Sequence, residues 1–269
     1  MKQISRRNLL KFVPVLPFLG AATQIPSESK HKLRFIVASD GHYGQPNTPY
    51  EKFHQNLVDW VNQEKASKGV DFMVINGDLI HDKPALLPEF KNAIKGLQMP
   101  YYVSRGNHDR VTHELWKSTW GYDTNHSFTV SDYAFIVLDT SNEEGKYLCP
   151  DNVFLKQELQ KYADKKGIFV FMHITPAKWT DNGVDCPETR ELFATTPNVK
   201  AIFHGHDHNE DEARTERGRP YFFDGHFGGS WGTTYRGYRV VEINEDGSWR
   251  SYQYNASGEP VINAFNGKA

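Results

Sequence analysis

Six short apolar runs, each ending in polar residues, alternate with amphipathic stretches between residues 33 and 208. Continuous apolar runs of this length, rich in Val, Ile and Phe, are typical of strands that are buried on both faces. The predicted strands are LRFIVASD (33–40), DFMVINGD (71–78), YYVSRGNHD (101–109), YAFIVLDT (133–140), IFVFMHIT (168–175) and VKAIFHGHDH (199–208).

The intervening stretches predict helices, because apolar side chains recur there at helical spacing. They cover residues 50–66, 89–97 and 151–165, and Asp151 is the predicted N-cap of the last one. After residue 218 the pattern changes to strand-like pieces separated by turns, and NEDGS (244–248) carries an Asp-Gly hairpin signal. Strands that alternate with helices and then a strand-rich end predict an α/β layered domain with a mixed sheet or two sheets.

The N-terminus is interpreted as an export signal. Arg6 and Arg7 precede a short apolar stretch that ends in small residues, which is the pattern of a secretory signal and resembles a bacterial twin-arginine signal. We expect a signal peptide and short linker over 1–28, cleavage near Ala22, and one domain over 29–269. The expected partner is the twin-arginine export machinery, and the expected location is the periplasm or the exterior of a bacterium. A retained anchor is disfavoured, because the apolar stretch is short and two prolines interrupt it.

The charge balance argues against a nucleic-acid-binding surface. The formal net charge is −2, and the first 22 residues hold four cations and no acids, so without them the charge is −2 − 4 = −6. An acidic protein of this kind does not favour phosphate backbones or anionic membranes. The two cysteines, Cys149 and Cys186, fit either a disulfide or two free thiols.

Metal-ligand side chains follow almost every predicted strand. In open α/β sheets ligands bind beyond the carboxyl ends of the strands, so these side chains are expected to converge. Oxygen and nitrogen ligands together suit Zn, Mn, Fe or Ni better than Ca or Mg. Seven such residues, one of them bridging, give two metal ions four protein ligands each, the arrangement used for phosphoryl displacement. The seven are Asp40, His42, Asp78, Asn107, His173, His206 and His208.

The ordered set D-x-H, G-D, G-N-H-D, H and G-H-x-H resembles the calcineurin-like metallophosphoesterase superfamily, and its D-x-H and G-N-H-D elements resemble the branch of cyclic-nucleotide phosphodiesterases. The resemblance covers residues 33–208. It implies a four-layer αββα sandwich, in which two packed mixed β-sheets are flanked by helices. It also implies metal-dependent hydrolysis of a phosphodiester or phosphomonoester by a hydroxide that bridges two metal ions.

The same resemblance implies a role for each residue. His108 faces the scissile phosphate and stabilises its charge or protonates the leaving oxygen, and Asp109 orients His108 by a hydrogen bond. Asp78 bridges the two metal ions. Asp40, His42 and His208 hold one metal ion, and Asn107, His173 and His206 hold the other.

Two other functions fit the same residues. Purple acid phosphatases have a tyrosine ligand three residues after the bridging aspartate, but His81 stands there in this chain. A non-catalytic phosphoryl- or metal-binding protein is disfavoured by the intact His108.

Three further residues are candidates for contact with substrate. They are His226, in the glycine-rich segment DGHFGGSWG, Arg105, which flanks the G-N-H-D motif, and Trp120, in the aromatic segment 110–132 that is able to cover the site. Asp139 is a candidate for supporting the site from behind the ligands.

Overall fold

Two six-stranded sheets form the centre of the computed structural model, which describes residues 32–257 and 262–267. The predicted signal peptide lies outside the described residues. The strands are β1 Leu33–Ala38, β2 Phe72–Asn76, β3 Tyr101–Ser104, β4 His126–Val130, β5 Tyr133–Leu138, β6 Gly167–Met172, β7 Val199–His204, β8 Ala213–Glu216, β9 Arg219–Phe223, β10 Tyr238–Ile243, β11 Trp249–Tyr254 and β12 Ile262–Gly267.

Both sheets are mixed. The first has the order β12-β11-β10-β1-β2-β3. In it β1, β2 and β3 are parallel to one another, and β10, β11 and β12 each pair antiparallel with their neighbours. The second has the order β4-β5-β6-β7-β9-β8, with a parallel centre and antiparallel edges. The parallel strands are the six that the apolar runs predict, together with β9.

The sheets pack face to face through aromatic side chains. Phe35 of β1 stacks on Phe72 of β2 with ring centroids 4.9 Å apart and meets Phe135 of β5 edge-on at 5.5 Å. Both faces of each sheet are therefore buried, which explains why the strand sequences are apolar throughout rather than alternating.

Helices cover the two outer faces. Helices α1, α2 and α3 pack on the first sheet, and α4 and α5 pack on the second. This confirms the four-layer αββα sandwich. The predicted cap is also confirmed, because the carboxylate of Asp151 accepts hydrogen bonds from the amides of Val153 and Phe154 at 2.8 and 3.2 Å. The helices are α1 Tyr50–Lys68, α2 Leu87–Ala93, α3 His113–Trp120, α4 Asn152–Lys161 and α5 Pro187–Thr195.

Segment 110–132 is not the aromatic cover that the sequence suggests. It contains helix α3, capped by the Thr112 hydroxyl, which accepts from the amide of Leu115, and strand β4. The side chain of Trp116 is fully buried in the core beneath α3. Trp116, Trp120 and Tyr122 of this segment pack in or against the core, which is the alternative to covering the site.

The turn around residues 244–248 is the predicted hairpin turn. In the turn between β10 and β11 the amide of Asn244 donates to the carbonyl of Ser248 at 2.8 Å, which confirms the hairpin.

Cys149 and Cys186 form a disulfide, with Cα atoms 5.5 Å apart. Of the helices that the structure describes, none combines the length and the apolar character of a membrane span.

Candidate metal centre

The seven predicted ligands come together at one edge of the sandwich. Each follows the carboxyl end of a parallel strand in one of the two sheets. A hydrogen bond of 3.0 Å from the amide of His206 to Asp40 Oδ2 joins the loop after β7 to the loop after β1, and so joins the two sheets. The ligands are Asp40 and His42 after β1, Asp78 after β2, Asn107 after β3, His173 after β6, and His206 and His208 after β7.

The first group of ligand atoms belongs to Asp40, His42 and His208, which are all buried and lie within 4.8 Å of one another. His208 Nε2 lies 3.1 Å from Asp40 Oδ1 and 3.1 Å from His42 Nε2. The Nδ1–H of His208 donates to the carbonyl of Trp231 at 3.1 Å, which leaves Nε2 with its lone pair toward the group.

The second group belongs to Asp78, His173 and His206. Asp78 Oδ2 lies 3.2 Å from His173 Nε2 and 3.6 Å from His42 Nε2, so this carboxylate reaches both groups. Its other oxygen accepts from the amide of His108 at 2.8 Å. The Nδ1–H of His173 donates to the carbonyl of Asn76 at 2.8 Å, which again presents Nε2 to the group.

Four buried ligand atoms in this region make no hydrogen bond of normal geometry. They are Asp40 Oδ1, Asn107 Oδ1, His173 Nε2 and His206 Nε2. Leaving a buried acceptor without a partner costs about 1–3 kcal/mol each, and metal cations in the two groups would satisfy these atoms. The residues therefore fit a pair of divalent metal ions, with carboxylate and imidazole donors in both groups and the buried amide oxygen of Asn107 in addition.

The backbone at the ligands is held in an uncommon conformation. Asp40, His42, Asp78 and His206 have φ angles of 59°, 47°, 49° and 70°, in the left-handed region. Such residues cost energy and collect at functional sites, where the surrounding structure keeps them in place. At Gly77, which has a φ of 84°, an added Cβ would lie 2.3 Å from His173 Nδ1, so the turn after β2 admits no side chain.

The electrostatics of the centre favour cations. Burial opposes charge on Asp40 and Asp78, but the neighbouring histidines outweigh it and hold the pKa of both carboxyls below the usual range. Burial likewise opposes a proton on His173, yet the carboxylates of Asp78 and Asp40 raise its pKa to about 10. Burial and the nearby His173 lower the pKa of His206 to about 4. Both carboxylates are therefore ionised at neutral pH and attract a cation.

The expected pairing of His108 with Asp109 is wrong. The carboxylate of Asp109 is fully buried and accepts from the amides of Ile80 and Gly106 at 2.9 and 2.7 Å, so it braces the two loops. The partner of His108 is Asp82, whose Oδ1 lies 3.1 Å from His108 Nδ1. The turn at Gly106 directs the Asp109 side chain back to the backbone.

The side chains of Arg105 and Trp120, both candidates for contact with substrate, are engaged by other parts of the fold. The guanidinium of Arg105 is buried, ion-paired with Asp139 and bonded to the carbonyls of Val111 and Ser141. It therefore ties the loop after β3 to the loop after β5, and the support that Asp139 gives to the site runs through Arg105 and stays a prediction. Trp120 packs against Phe90 of α2 at 6.2 Å as part of the core.

His226 lies beside the centre rather than in the cleft. Its ring is 1% exposed and stacks on His208 with centroids 4.8 Å apart. Its Nδ1 lies 2.6 Å from the carbonyl of Gly228 and its Nε2 lies 3.2 Å from the carbonyl of Thr233. In the structure its ring therefore packs against a proposed metal ligand.

Three residues at the site had no signal in the hydrophobic pattern. His81 stacks on His108 with centroids 4.9 Å apart, and its Nδ1 lies 3.1 Å from His42 Nδ1. Trp231 and Tyr147 are 41% and 40% exposed and contact ligand rings. The sequence marks His81 only by its position three residues after Asp78, where purple acid phosphatases have a tyrosine ligand.

Two groups of Asp and His ligands at the strand ends of an αββα sandwich are the arrangement of a metal-dependent hydrolase. Residues 33–210 match the family of calcineurin-like phosphoesterases. A probable glycerophosphodiester phosphodiesterase, GpdQ, from Arcobacter nitrofigilis is 30% identical over 189 residues, which are 64% of this chain and 68% of that protein. The chain therefore belongs to the calcineurin-like phosphoesterase family and is a phosphoester hydrolase that uses divalent metal ions.

Solved structures agree on the fold. A dimetal phosphatase from Danio rerio superposes with a TM-score of 0.72 at 12% identity and covers 88% of this chain and 98% of its own. A purple acid phosphatase from yellow lupin (Lupinus luteus) superposes with a TM-score of 0.65 at 13% identity and covers 87% of this chain and 53% of its own. At these identities the likeness concerns the sandwich alone.

Proposed function

We propose that this phosphoesterase hydrolyses small phosphodiesters, releasing an alcohol and leaving a phosphomonoester. The proposal is carried by the convergence of two groups of unsatisfied buried ligand atoms around Asp78, which reaches both. The preference for diesters is supported by the relative named as a glycerophosphodiester phosphodiesterase. A monoester phosphatase of the purple acid type is less well supported, since His81 stands in place of the tyrosine ligand.

The ligand sets follow the two groups. Two divalent ions, each of them Mn, Fe, Zn or Ni, supply a water molecule of lowered pKa and neutralise phosphoryl charge when they are bound. The protein's contribution is to fix the donors, through hydrogen bonds from Nδ1 of His173 and His208 to backbone carbonyls and from backbone amides to Asp40 and Asp78. One ion is assigned to Asp40, His42 and His208, the other to Asn107, His173 and His206, and Asp78 is shared.

His108 is proposed to donate a proton to the leaving oxygen. Its ring is a quarter exposed, unlike the buried ligand rings, and contacts His42 at a centroid distance of 4.9 Å. Asp82 holds its Nδ1, so Nε2 is directed away from that carboxylate, and His81 stacks on the ring at an interplanar angle of 9°. Proton transfer by a positioned side chain contributes typically about 10²–10⁴-fold to the rate.

His108→Ala tests this assignment. We expect metal content close to that of the unaltered protein and a loss of roughly 10²–10⁴-fold in turnover of bis(p-nitrophenyl) phosphate. His113→Ala, which removes an exposed histidine of α3, is the matched control and should keep its activity. Survival of turnover in His108→Ala would contradict the role, and faster hydrolysis of p-nitrophenyl phosphate than of the diester would contradict the diester preference.

We also propose that the chain is exported through the twin-arginine pathway and that residues 29–269 form the mature domain. The support is the Arg6-Arg7 signal and the pairing of Cys149 with Cys186, because disulfides persist mainly in oxidising compartments. Replacing Arg6 and Arg7 by lysine should leave the protein in the cytoplasmic fraction. Export of that variant at the normal rate would contradict the proposal.

A further inference from the structure

Two exposed aromatic side chains lie against the ligand rings. In the described part of the chain the exposed large hydrophobic side chains are Tyr147, Leu148, Val153 and Trp231. Large apolar surface left open beside a polar site marks a place where an apolar group binds. Trp231 contacts the first group of ligands and Tyr147 contacts the second.

Trp231 is a fixed platform rather than a loose side chain. Its ring stacks on His208 with centroids 4.4 Å apart at 12°, and it lies 4.8 Å from His42. It is also 6.3 Å from the ring of His108, the proposed proton donor. The loop around it is bonded on both sides, since the hydroxyl of Ser230 accepts from Gln45 and the carbonyl of Trp231 accepts from His208.

Tyr147 occupies the corresponding position on the second group. Its ring meets His206 edge-on with centroids 4.7 Å apart. The loop that carries it is fixed by the bond from the amide of Leu148 to the carbonyl of Thr140 at 2.8 Å, and by the disulfide that follows at Cys149. The loop also presses on the G-N-H-D motif, because a Cβ at Gly145 would lie 2.7 Å from the carbonyl of Asn107.

We propose that Trp231 contacts the leaving alcohol of the substrate and that Tyr147 contacts the alcohol that stays on phosphorus. This inference rests on the proposed function, since only a diester carries two organic groups. His108 lies on the Trp231 side, so the P–O bond that breaks belongs to the group beside Trp231. In that step water forms the new P–O bond, the leaving oxygen takes the proton of His108, and the water proton passes to solvent. The preferred substrates are then diesters whose two alcohols carry planar or apolar surface.

Two stable phosphorus acids separate the two contacts. Phenylphosphonate has one aromatic group and diphenylphosphinate has two, and neither has an ester bond to hydrolyse. Their binding to the metal-loaded protein is measured by calorimetry, with metal content determined on the same samples. Tyr147→Ala should weaken binding of diphenylphosphinate about three- to tenfold and leave phenylphosphonate unchanged, because an aromatic contact is of that size. Trp231→Leu should weaken binding of both by a similar factor.

Hydrolysis gives a second measurement of the same assignment. In methyl p-nitrophenyl phosphate the aromatic group is the leaving group, whereas bis(p-nitrophenyl) phosphate also retains one. Tyr147→Ala should therefore lower kcat/KM only for the second compound, and Trp231→Leu should lower it for both. Tyr147→Phe and Trp231→Phe keep a ring and should retain most of the wild-type selectivity, and Val153→Ala, which removes an exposed apolar side chain of α4, should change nothing.

Different results would overturn the assignment of the two aromatic contacts and the proposed diester hydrolysis. If the unaltered protein cleaves diesters but Tyr147→Ala affects both phosphorus acids equally, or neither, the assignment of the two aromatic contacts is overturned. If the unaltered protein hydrolyses no diester with any of the four metals, the proposed function itself is overturned. If Trp231→Leu loses metal, Trp231→Phe is measured in its place. Equal binding of both phosphorus acids to Trp231→Phe and to Tyr147→Phe upholds the requirement for an aromatic ring at each position.

Discussion

One cluster of buried charge lies within the first sheet and another lies where strands of both sheets end, and the two differ in how the chain satisfies their charges. The guanidinium of Arg34 is buried and donates to Glu242 at 2.9 Å, to the carbonyl of Gly69 at 3.0 Å, to the hydroxyl of Tyr252 at 3.2 Å and to Glu64. The guanidinium and the two carboxylates of this cluster pair with one another, so no buried charge in it is left without an opposite charge.

The metal centre has the opposite character. Acceptor atoms of Asp40, Asn107, His173 and His206 are buried without a hydrogen bond, and several ligands have left-handed backbone. The comparison teaches that burial of charge alone does not mark a functional site. Buried ligand atoms that converge without a hydrogen-bond partner do mark it, since metal cations are then the missing partners.

The largest effect is expected from the carboxylate that reaches both ligand groups. Asp78→Asn should lose metal and lower kcat/KM by roughly 10³-fold or more, because metal ions contribute several kcal/mol of transition-state stabilisation. Metal content by mass spectrometry and diester hydrolysis check this. Asp132→Asn, which removes an exposed carboxylate bonded to Lys32, is the control and should change neither. Full metal occupancy in Asp78→Asn would remove Asp78 from the ligand set.

The Arg34 cluster should show the reverse: a loss of stability without loss of metal. Arg34→Met removes the buried cation that Glu64 and Glu242 share, leaves them only the more exposed Lys68 and Arg250, and should lower the free energy of unfolding by about 3–5 kcal/mol. Arg250→Met is a matched control, because Arg250 also binds Glu242 but is 53% exposed, and it should cost about 1 kcal/mol or less. Urea denaturation measures both. Equal costs for the two variants would refute the role of burial.

His54 shows that an unsatisfied buried atom is not always a ligand. Its Nε2 is buried without a hydrogen bond, and burial lowers its pKa to about 4 from 6.5. The unfolded chain takes up this proton near pH 6.5 and the folded chain only near pH 4. Stability should therefore fall as the pH drops from 6.5 to 4, by up to about 3 kcal/mol from this group. His54→Phe should flatten that part of the curve in urea denaturation at several pH values, and an unchanged slope would disprove it.

The smallest expected effect comes from crowding at a ligand. Gly77→Ala places a methyl group against His173 and should weaken metal binding about 10–100-fold, the usual result of disturbing a ligand's support. Gly121→Ala has the same φ of 84° but nothing within 4 Å, so it should cost only about 1–2 kcal/mol of stability. Competition with a chelating dye gives the metal affinities, and similar affinities for the two variants would show that crowding is unimportant.

Much of the sandwich and the gathering of the ligand residues could be predicted, because both follow from local pattern. Apolar runs give buried parallel strands, and parallel strands bring their carboxyl ends to one edge. The partner of His108 could not be predicted, since it depends on how the turn at Gly106 directs Asp109. The exposure of Trp231 and Tyr147 beside the ligands could not be predicted either, because the local sequence pattern does not show whether an aromatic side chain in a loop is buried or exposed.

The position of β1 inside its sheet determines how late in synthesis that sheet can be completed. Leu33 pairs with Ile243, which the ribosome adds 210 residues later, or roughly 10–40 s at 5–20 residues per second. Until then β1 lacks one neighbour and Arg34 lacks Glu242. The first sheet is therefore completed only after the last of the proposed metal ligands, His208, has been synthesised.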